Sequence, residues 1–361
     1  METKIPRSLI AGVQSVMPAE VTQHRKVRSI SVSDSVGVGI FRRTLNIVTY
    51  YKQAGDNGER GWLAAGWIKE SLGRVLTEQP MISGRLRRRR TATQEEEDGL
   101  EVVANDSGVR LLEATFPASL PEFLEMVKKD KSRAEAETVF WRDIDEDAPQ
   151  FSPLFYVQVT NFENGGYTIG ISCSILIADL LLETDFLTKW AQIQSSLSHS
   201  QTTIKPIFYL PSVKKDLAGS LTQLSRSASV LDRGEPLVFR AKTCSETSME
   251  KTVANREKAR ADVFLFVKEQ GGGEEDSTER DGTKVEIHSR DEAISDCGCG
   301  DGLEETDVGA LLNVSLAFEN KIVGNSCWVG SISQGVVFVV PSTLGGTKYS
   351  LVKIVVALPK N

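Results

Sequence analysis

Histidine is the side chain whose ordinary pKa lets it accept a proton near neutral pH, and this sequence has three: His24, His199 and His288. His199 follows a helix in a Ser-rich connection and His288 lies in a polar acidic stretch, so both read as solvated loop residues rather than bases. The five cysteines, Cys173, Cys244, Cys297, Cys299 and Cys327, are odd in number and spread out, which fits reduced thiols better than a disulfide framework. Cys297-Gly-Cys299 is a single pair without a partner pair, so no zinc site is expected. Gly37-Val-Gly39 lacks the third glycine of a dinucleotide loop, and Asp276–Asp281 lacks the ligand spacing and turn glycine of a calcium loop. That leaves residues 166–191, GYTIGISCSILIADLLLETDFLTKWA, a buried strand running into a helix. Here Asp179 stands four residues after Ile175, and Ile175 has neither a lone pair nor a titratable group.

The surrounding elements must deliver this junction to the interior. Tyr167–Ser174 and Phe151–Phe162 read as a strand pair across Glu163–Gly166, whose glycines tolerate positive φ. Thr44–Tyr51 alternates as a strand. After a polar turn at Gly55–Gly61, a helix from Trp62 to Leu76 carries an apolar stripe at Leu63, Trp67, Ile68, Leu72, Val75 and Leu76. Strands follow at Ile82–Arg88, Glu101–Val103 and Val109–Thr115, with a helix at Leu120–Asp130. The basic run Arg85–Arg90 and the acidic Glu95–Asp98 read as one charge-balanced hairpin surface. Trp141, Trp190 and Trp328 read as core residues. In the second half, Ala241–Val267 is expected to be a helix preceded by one strand, and Val308–Phe318, Cys327–Ile332, Val336–Val340 and Tyr349–Leu358 to be closing strands. Strands mixed with helices in this order give an α/β chain, an α+β layered sandwich.

A composition of 40% apolar and 25% charged residues over 361 positions fits a globular protein of two domains. A net charge of −7 offers no positive field for nucleic acid, and no nucleic-acid role is expected. Ile169–Leu182 is too short and too polar for a transmembrane segment, and the N-terminal residues lack a secretory pattern. The expected location is cytoplasmic, compatible with peripheral association with a membrane enzyme.

The chain resembles the plant BAHD acyltransferases, whose signature His-x-x-x-Asp closes a strand of the type GGxxxGxSxSHxxxD. Gly165, Gly166, Gly170, Ser172, Ser174 and Asp179 fall in register with it, and Trp190-Ala191 matches the end of the following helix. Ser31 to Asp34, Leu72–Arg85, Asn105–Val109 with Glu113-Ala114, Ser152–Leu154 and Val157–Val159 agree in the same order. Ile175 occupies the histidine's place. The Asp-Phe-Gly-Trp-Gly motif found near the C-terminus of these enzymes is missing, and Glu319–Gly330 reads ENKIVGNSCWVG instead. Pro153-Leu154, Gln158–Thr160 and Gly335–Val337 with Val340-Pro341 are most similar to the eceriferum-like members.

The resemblance implies two chloramphenicol-acetyltransferase-like domains around a central channel. Residues 1–198 would be the N-terminal domain, 199–240 a crossover linker, and 241–361 a shortened C-terminal domain with an acidic, mobile insertion at 269–307. Relatives continue past the position of Asn361, so the second domain is expected to be abbreviated or a variant gene product. The family's histidine is a general base that takes a proton from a hydroxyl or amine acceptor as it attacks an acyl-coenzyme A. Such assistance is worth about 10²–10⁴-fold in rate. The family's aspartate orients the backbone, so Asp179 is expected to keep architecture while Ile175 removes the base. The function implied is that of an accessory factor in very-long-chain fatty acid elongation and cuticular wax formation, partnered with a condensing enzyme. The alternatives are an active or weakly active acyl-CoA-dependent O- or N-acyltransferase, and a degenerate family copy. No tightly bound cofactor or metal is expected, with acyl-CoA as the co-substrate of the transferase alternative.

Overall fold

The computed structural model describes residues 5–22, 26–32, 38–53, 61–89, 99–183, 186–199, 226–231, 233–234, 236–242, 263–269, 282–288, 304–306, 316, 321–330, 335–342 and 351–357. In chain order the strands are β1 Leu9–Val16, β2 Val27–Val32, β3 Thr44–Lys52, β4 Arg85–Arg88, β5 Leu100–Val103, β6 Val109–Ser119, β7 Phe155–Glu163 and β8 Tyr167–Ser174. The second half adds β9 Arg233–Gly234, β10 Pro236–Lys242, β11 Val263–Glu269, β12 Gly282–His288, β13 Glu304–Thr306, β14 Lys321–Gly330, β15 Gly335–Ser342 and β16 Leu351–Ala357. The helices are α1 Gly61–Glu78, α2 Leu120–Lys129, α3 Lys131–Ala136, α4 Ala178–Glu183 and α5 Phe186–His199. The architecture is mixed α/β in layers, as the order of elements in the sequence implies.

Two sheets carry the fold. One has the order β1-β6-β7-β8-β3-β14-β9 and the other β13-β10-β16-β15-β11-β12-β2-β5-β4. Residues 1–198 and 241–361 each contribute to both: β14 pairs antiparallel with β3, placing Trp328 opposite Asn46, while β2 pairs parallel with β12. Backbone pairing therefore runs across the two halves of the chain.

Strands β3 and β8 are buried along both faces apart from Lys52. A strand covered on both sides reads as a continuous apolar run rather than a clean alternation, which is why TLNIVTYYK and YTIGISCS stand out. The hairpin between β7 and β8 turns through Asn164, Gly165 and Gly166 at φ of 59°, 91° and 84°, values glycine adopts without a Cβ clash. Farther along β8, a Cβ on Gly170 would sit 2.1 Å from the Thr138 carbonyl oxygen, so the absent side chain lets the 134–139 turn close on the sheet.

Helix α1 packs on α5 and on β6 and β7. Its buried face is made by Ala64, Ala65, Ile68, Leu72, Val75 and Leu76, with Leu63 and Trp67 only half-buried. Four residues of the predicted stripe are thus buried, joined by the small Ala64 and Ala65. Helix α2 begins with a capping box, in which the Glu122 carboxylate accepts hydrogen bonds from the Ser119 amide (2.8 Å) and hydroxyl (2.6 Å). Its Phe123 joins Phe116 and Phe162 in an aromatic cluster with centroid separations of 4.9–5.8 Å.

Several expectations change. The strand anticipated at Ile82–Arg88 begins at Arg85, because Pro80–Ser83 forms a 3-10 turn. The helix anticipated over Ala241–Val267 has strand at both ends, Ala241-Lys242 in β10 and Val263–Val267 in β11; its middle lies outside the described residues. Short apolar runs do not separate helix from buried strand by periodicity alone, and VFLFV was such a run. The acidic stretch 269–307 contains β12 and β13. Of Val308–Phe318 only Leu316 is described; it is buried and its amide donates to the Tyr51 hydroxyl at 3.1 Å. The tips at 55–60 and 95–98 lie outside the described residues.

Candidate functional site

The junction after β8 is built by three neighbouring strands. Antiparallel pairing sets Ser174 opposite Thr44 and Ser172 opposite Asn46. The Ser172 hydroxyl donates to Asn46 Oδ1 at 2.7 Å, and Asn46 Nδ2 donates to Thr44 Oγ1 at 2.8 Å. This short polar ladder lies in the sheet interior, and Gly330 at the end of β14 abuts it, since a Cβ there would approach Thr44 Oγ1 to 2.6 Å. The Ser174 amide donates to the Leu154 carbonyl at 2.8 Å and ends the strand. Its hydroxyl accepts the Leu176 amide at 3.4 Å, capping a 3-10 turn at Ile175–Ile177 that runs into α4.

Ile175 is the first residue of that turn. Its amide donates to the Arg43 carbonyl at 3.1 Å, and the residue is 1% exposed. The position is held by the backbone and filled by hydrocarbon. Cys173 donates to the Ser174 carbonyl at 3.4 Å. Burial, and next the nearby Asp179 carboxylate, hold its thiol well above the usual range, so it stays protonated and is a poor nucleophile.

Asp179 in the first turn of α4 faces Arg28 on β2 in the other sheet. The guanidinium donates to both carboxylate oxygens, Nη1 to Oδ1 at 3.0 Å and Nη2 to Oδ2 at 2.6 Å, with side-chain exposures of 1% and 13%. Paired parallel bonds fix orientation as well as distance. Since α4 also packs on β15, the aspartate ties the strand-to-helix junction to the second sheet. Sequence reading missed Arg28. Its signal was a charge inside the strand VRSISV, but nothing local names a partner 151 residues away.

The other candidate residues are not brought to this place by any described contact. Ser31 lies on β2 and Asp34 is outside the described residues, as is His24. His199 ends α5 and His288 ends β12, opposite Val263; each closes a regular element instead of lying in a loop. Trp141, Trp190 and Trp328 are fully buried, with indole N–H bonds to Asp143 Oδ1 (3.0 Å), Ser71 Oγ (2.8 Å) and the Val230 carbonyl (3.1 Å). They are core residues. Among the described residues no group of His, Cys, Asp and Glu is arranged to hold a metal, and no helix is long and apolar enough to cross a membrane.

A second buried polar cluster escaped the sequence reading. Glu135 of α3 is 1% exposed. It accepts from the Tyr50 hydroxyl (2.6 Å), Arg233 Nη2 (2.7 Å) and the Ser326 hydroxyl (3.0 Å). The Arg233 guanidinium also stacks 4.3 Å above the Trp328 ring. Burial first, and then the Glu135 charge, push the Tyr50 hydroxyl far above its ordinary value.

The model of the Transferase family matches residues 10–268, most of the chain. The chain belongs to this family, the BAHD acyltransferases. Curated relatives of this BAHD chain include a hydroxycinnamoyltransferase of Narcissus pseudonarcissus, 28% identical over 42% of this chain and 32% of the relative. Two Arabidopsis thaliana proteins also match. Protein ECERIFERUM 26-like is 30% identical over 35% of this chain and 27% of the relative, and Protein ECERIFERUM 2 is 26% identical over 54% and 44%. The chain thus spans less than half the length of each of these relatives. Among solved structures, that of vinorine synthase overlaps 98% of this chain and 94% of its own at 13% identity and a TM-score of 0.43.

Proposed function

We propose that this BAHD chain has lost the family's general base and acts as an accessory factor in very-long-chain fatty acid elongation, in support of cuticular wax formation. The observation that carries the reading is the apolar filling of the strand end. Ile175 is 1% exposed where the signature has histidine, and an isoleucine takes no proton from an acceptor. The neighbouring groups do not substitute for it: the Cys173 thiol is held protonated, and both oxygens of Asp179 bind Arg28. A carboxylate engaged in a bidentate pair keeps the junction in place without serving as a base. The two ECERIFERUM relatives support the same direction. The partner would be a condensing enzyme, with a cytoplasmic location that allows peripheral association at the endoplasmic reticulum.

The test is the fatty-acid chain-length profile of yeast expressing a plant condensing enzyme, with and without this protein. Longer products with the wild type and with an Ile175→Ala variant support a role without proton transfer. An unchanged profile, with expression confirmed, overturns it.

The relatives bearing transferase names, such as the hydroxycinnamoyltransferase, favour a second reading as an acyl-CoA-dependent transferase acting on a hydroxyl or amine. Positioning of two reactants lowers a barrier even without a base, so slow turnover is chemically open. Its diagnostic is Ile175→His. Recovery of about 10²-fold or more in acyl-CoA turnover, the span of general-base assistance, supports a channel that lacks only the base. No turnover in either protein argues against this reading.

A further inference from the structure

Residues 226–231, just before β9, pass beside the polar ladder of Thr44, Asn46 and Ser172. Segment and ladder meet at Gly330, where a Cβ would stand 2.9 Å from the Ser229 carbonyl oxygen, 2.6 Å from Thr44 Oγ1 and 3.2 Å from Asn46 Nδ2. Trp328, opposite Asn46 in the pairing of β3 with β14, donates its indole N–H to the Val230 carbonyl at 3.1 Å. Side chains supply most of the attachment. Arg226 donates to Glu137 Oε2 (2.7 Å), the Glu137 carbonyl (3.2 Å), Ser8 Oγ (2.5 Å) and Gln158 Oε1 (3.1 Å). The Asp143 amide donates to the Ser227 hydroxyl, and the Ser229 hydroxyl donates to Asp143 Oδ1, both at 2.8 Å. The Ser227 amide adds a backbone bond to the Trp141 carbonyl at 2.9 Å.

We propose that residues 226–231 form a releasable strap over the polar ladder beside position 175, lifting from Arg226 and pivoting at Arg233. Segments that open locally have few buried apolar side chains and bonds that water can replace. Val230 is buried here, but Leu231 is 45% exposed and Ala228 is exposed. The two ends of the segment differ in the same sense. The pair of Arg226 with Glu137 keeps side-chain exposures of 17% and 18%, and that of Arg233 with Glu135 keeps 5% and 1%. Water competes more readily for the first pair, while Arg233 is held further by the pairing of β9 with Gly330 on β14. What the strap covers also favours opening, because hydroxyls and an amide hydrate on exposure where hydrocarbon would not. Opening admits water, and a polar ligand with it, to the ladder. The inference holds whether or not the junction transfers acyl groups.

The experiment is native-state hydrogen exchange of the full chain, followed by NMR. The amides of Ser227 and Leu231 and the indole N–H of Trp328 exchange as one unit, with protection about tenfold or more below that of the β8 amides and of the Trp190 indole. Trp190 is equally buried and bonds Ser71, on α1, so it reports on the fold without the strap. Arg226→Gln lowers strap protection by about a further tenfold, and Ser229→Ala, which removes one neutral bond, lowers it less; β8 and Trp190 stay unchanged in both. Equal protection of the strap and β8 overturns the proposal, because the segment then opens only when the whole fold does. So does an equal loss at β8 and at the strap in both variants, which would make Arg226 and Ser229 pins of the entire fold. Indifference of the strap to both substitutions overturns it too. Early exchange at Ser227 and Leu231 with a protected Trp328 indole does the same, since the segment would then fray without uncovering the ladder.

Discussion

The β8 junction and the Glu135 cluster both bury an arginine against a carboxylate, yet they are built differently. At the junction Asp179 has one cationic partner, Arg28, and its side chain keeps 13% exposure. Glu135 is held by three groups, Tyr50, Arg233 and Ser326, and keeps 1%. Desolvating a charge costs several kcal/mol, and the cost is offset only when the remaining hydrogen-bond capacity is used. The more enclosed carboxylate has the more complete set of donors, as that rule requires. What differs most is location. The Glu135 cluster joins α3, β3, β9 and β14, elements far apart in sequence, whereas the Asp179 pair joins the junction to the other sheet. In both, charge is spent on holding seams together, and the strand end at 175 is left to hydrocarbon.

The largest effect should come from breaking the richer cluster. Glu135→Ala leaves Arg233 buried without its carboxylate and removes the acceptor for Tyr50 and Ser326. Removing one member of a buried pair typically costs about 3–5 kcal/mol, so a loss of that size in urea unfolding is expected. Combining Glu135→Leu with Arg233→Met should restore much of it, because an apolar replacement of the whole pair is often close to neutral. A double variant no more stable than the single one would mean that the three-way hydrogen bonding, and not the uncompensated charge, dominates.

At the junction the same logic gives a smaller number. Asp179→Asn keeps the shape but replaces a carboxylate with an amide that can accept from Arg28 through one atom only. Hydrogen bonds to charged groups contribute about 1.5–3 kcal/mol, and the partial exposure of Asp179 places the expected loss at the lower end. The informative readout pairs that urea midpoint with the yeast chain-length profile. If the aspartate only maintains architecture, the profile should survive wherever the protein remains folded.

Which parts of this contrast can be read from sequence follows from the range of the interactions. Helices α1 and α2 declare themselves through local periodicity, and strands β3, β7 and β8 through short, mostly apolar runs bounded by turn residues. The turn at Gly165-Gly166 does so through the only residue type at ease with its φ values. Asp179 at the strand-to-helix junction was also legible, and so was the apolar character of Ile175. Arg28 was not, because its role exists only once β2 has joined the second sheet beside β12. Glu135 sits in the polar segment KSRAEA, and only the return of Arg233 and Ser326 from the second half of the chain encloses it. The helix expected over Ala241–Val267 failed for a related reason: VFLFV becomes a strand by pairing with β12 and β15, partners that the short apolar run does not name.

The smallest effect, and the sharpest in sign, belongs to a carboxylate without an arginine. Glu113 on β6 accepts from Gln14 Nε2 at 3.0 Å. Burial pushes its carboxyl above the ordinary value, and the Gln14 hydrogen bond and the charge of Lys69 offset this only in part. With the folded pKa above the unfolded one, the folded state binds the proton more tightly. The group's favourable contribution is present in full below the unfolded pKa and disappears as pH rises through the folded one. Glu113→Gln removes the titration and keeps an acceptor for Gln14. The variant should therefore equal or slightly exceed the wild type in melting temperature at neutral pH, by less than about 1 kcal/mol, and this advantage should vanish in acid, where the wild-type carboxyl is neutral. The opposite trend, a variant that loses stability at neutral pH and recovers in acid, would mean that the fold stabilises Glu113 in its charged form.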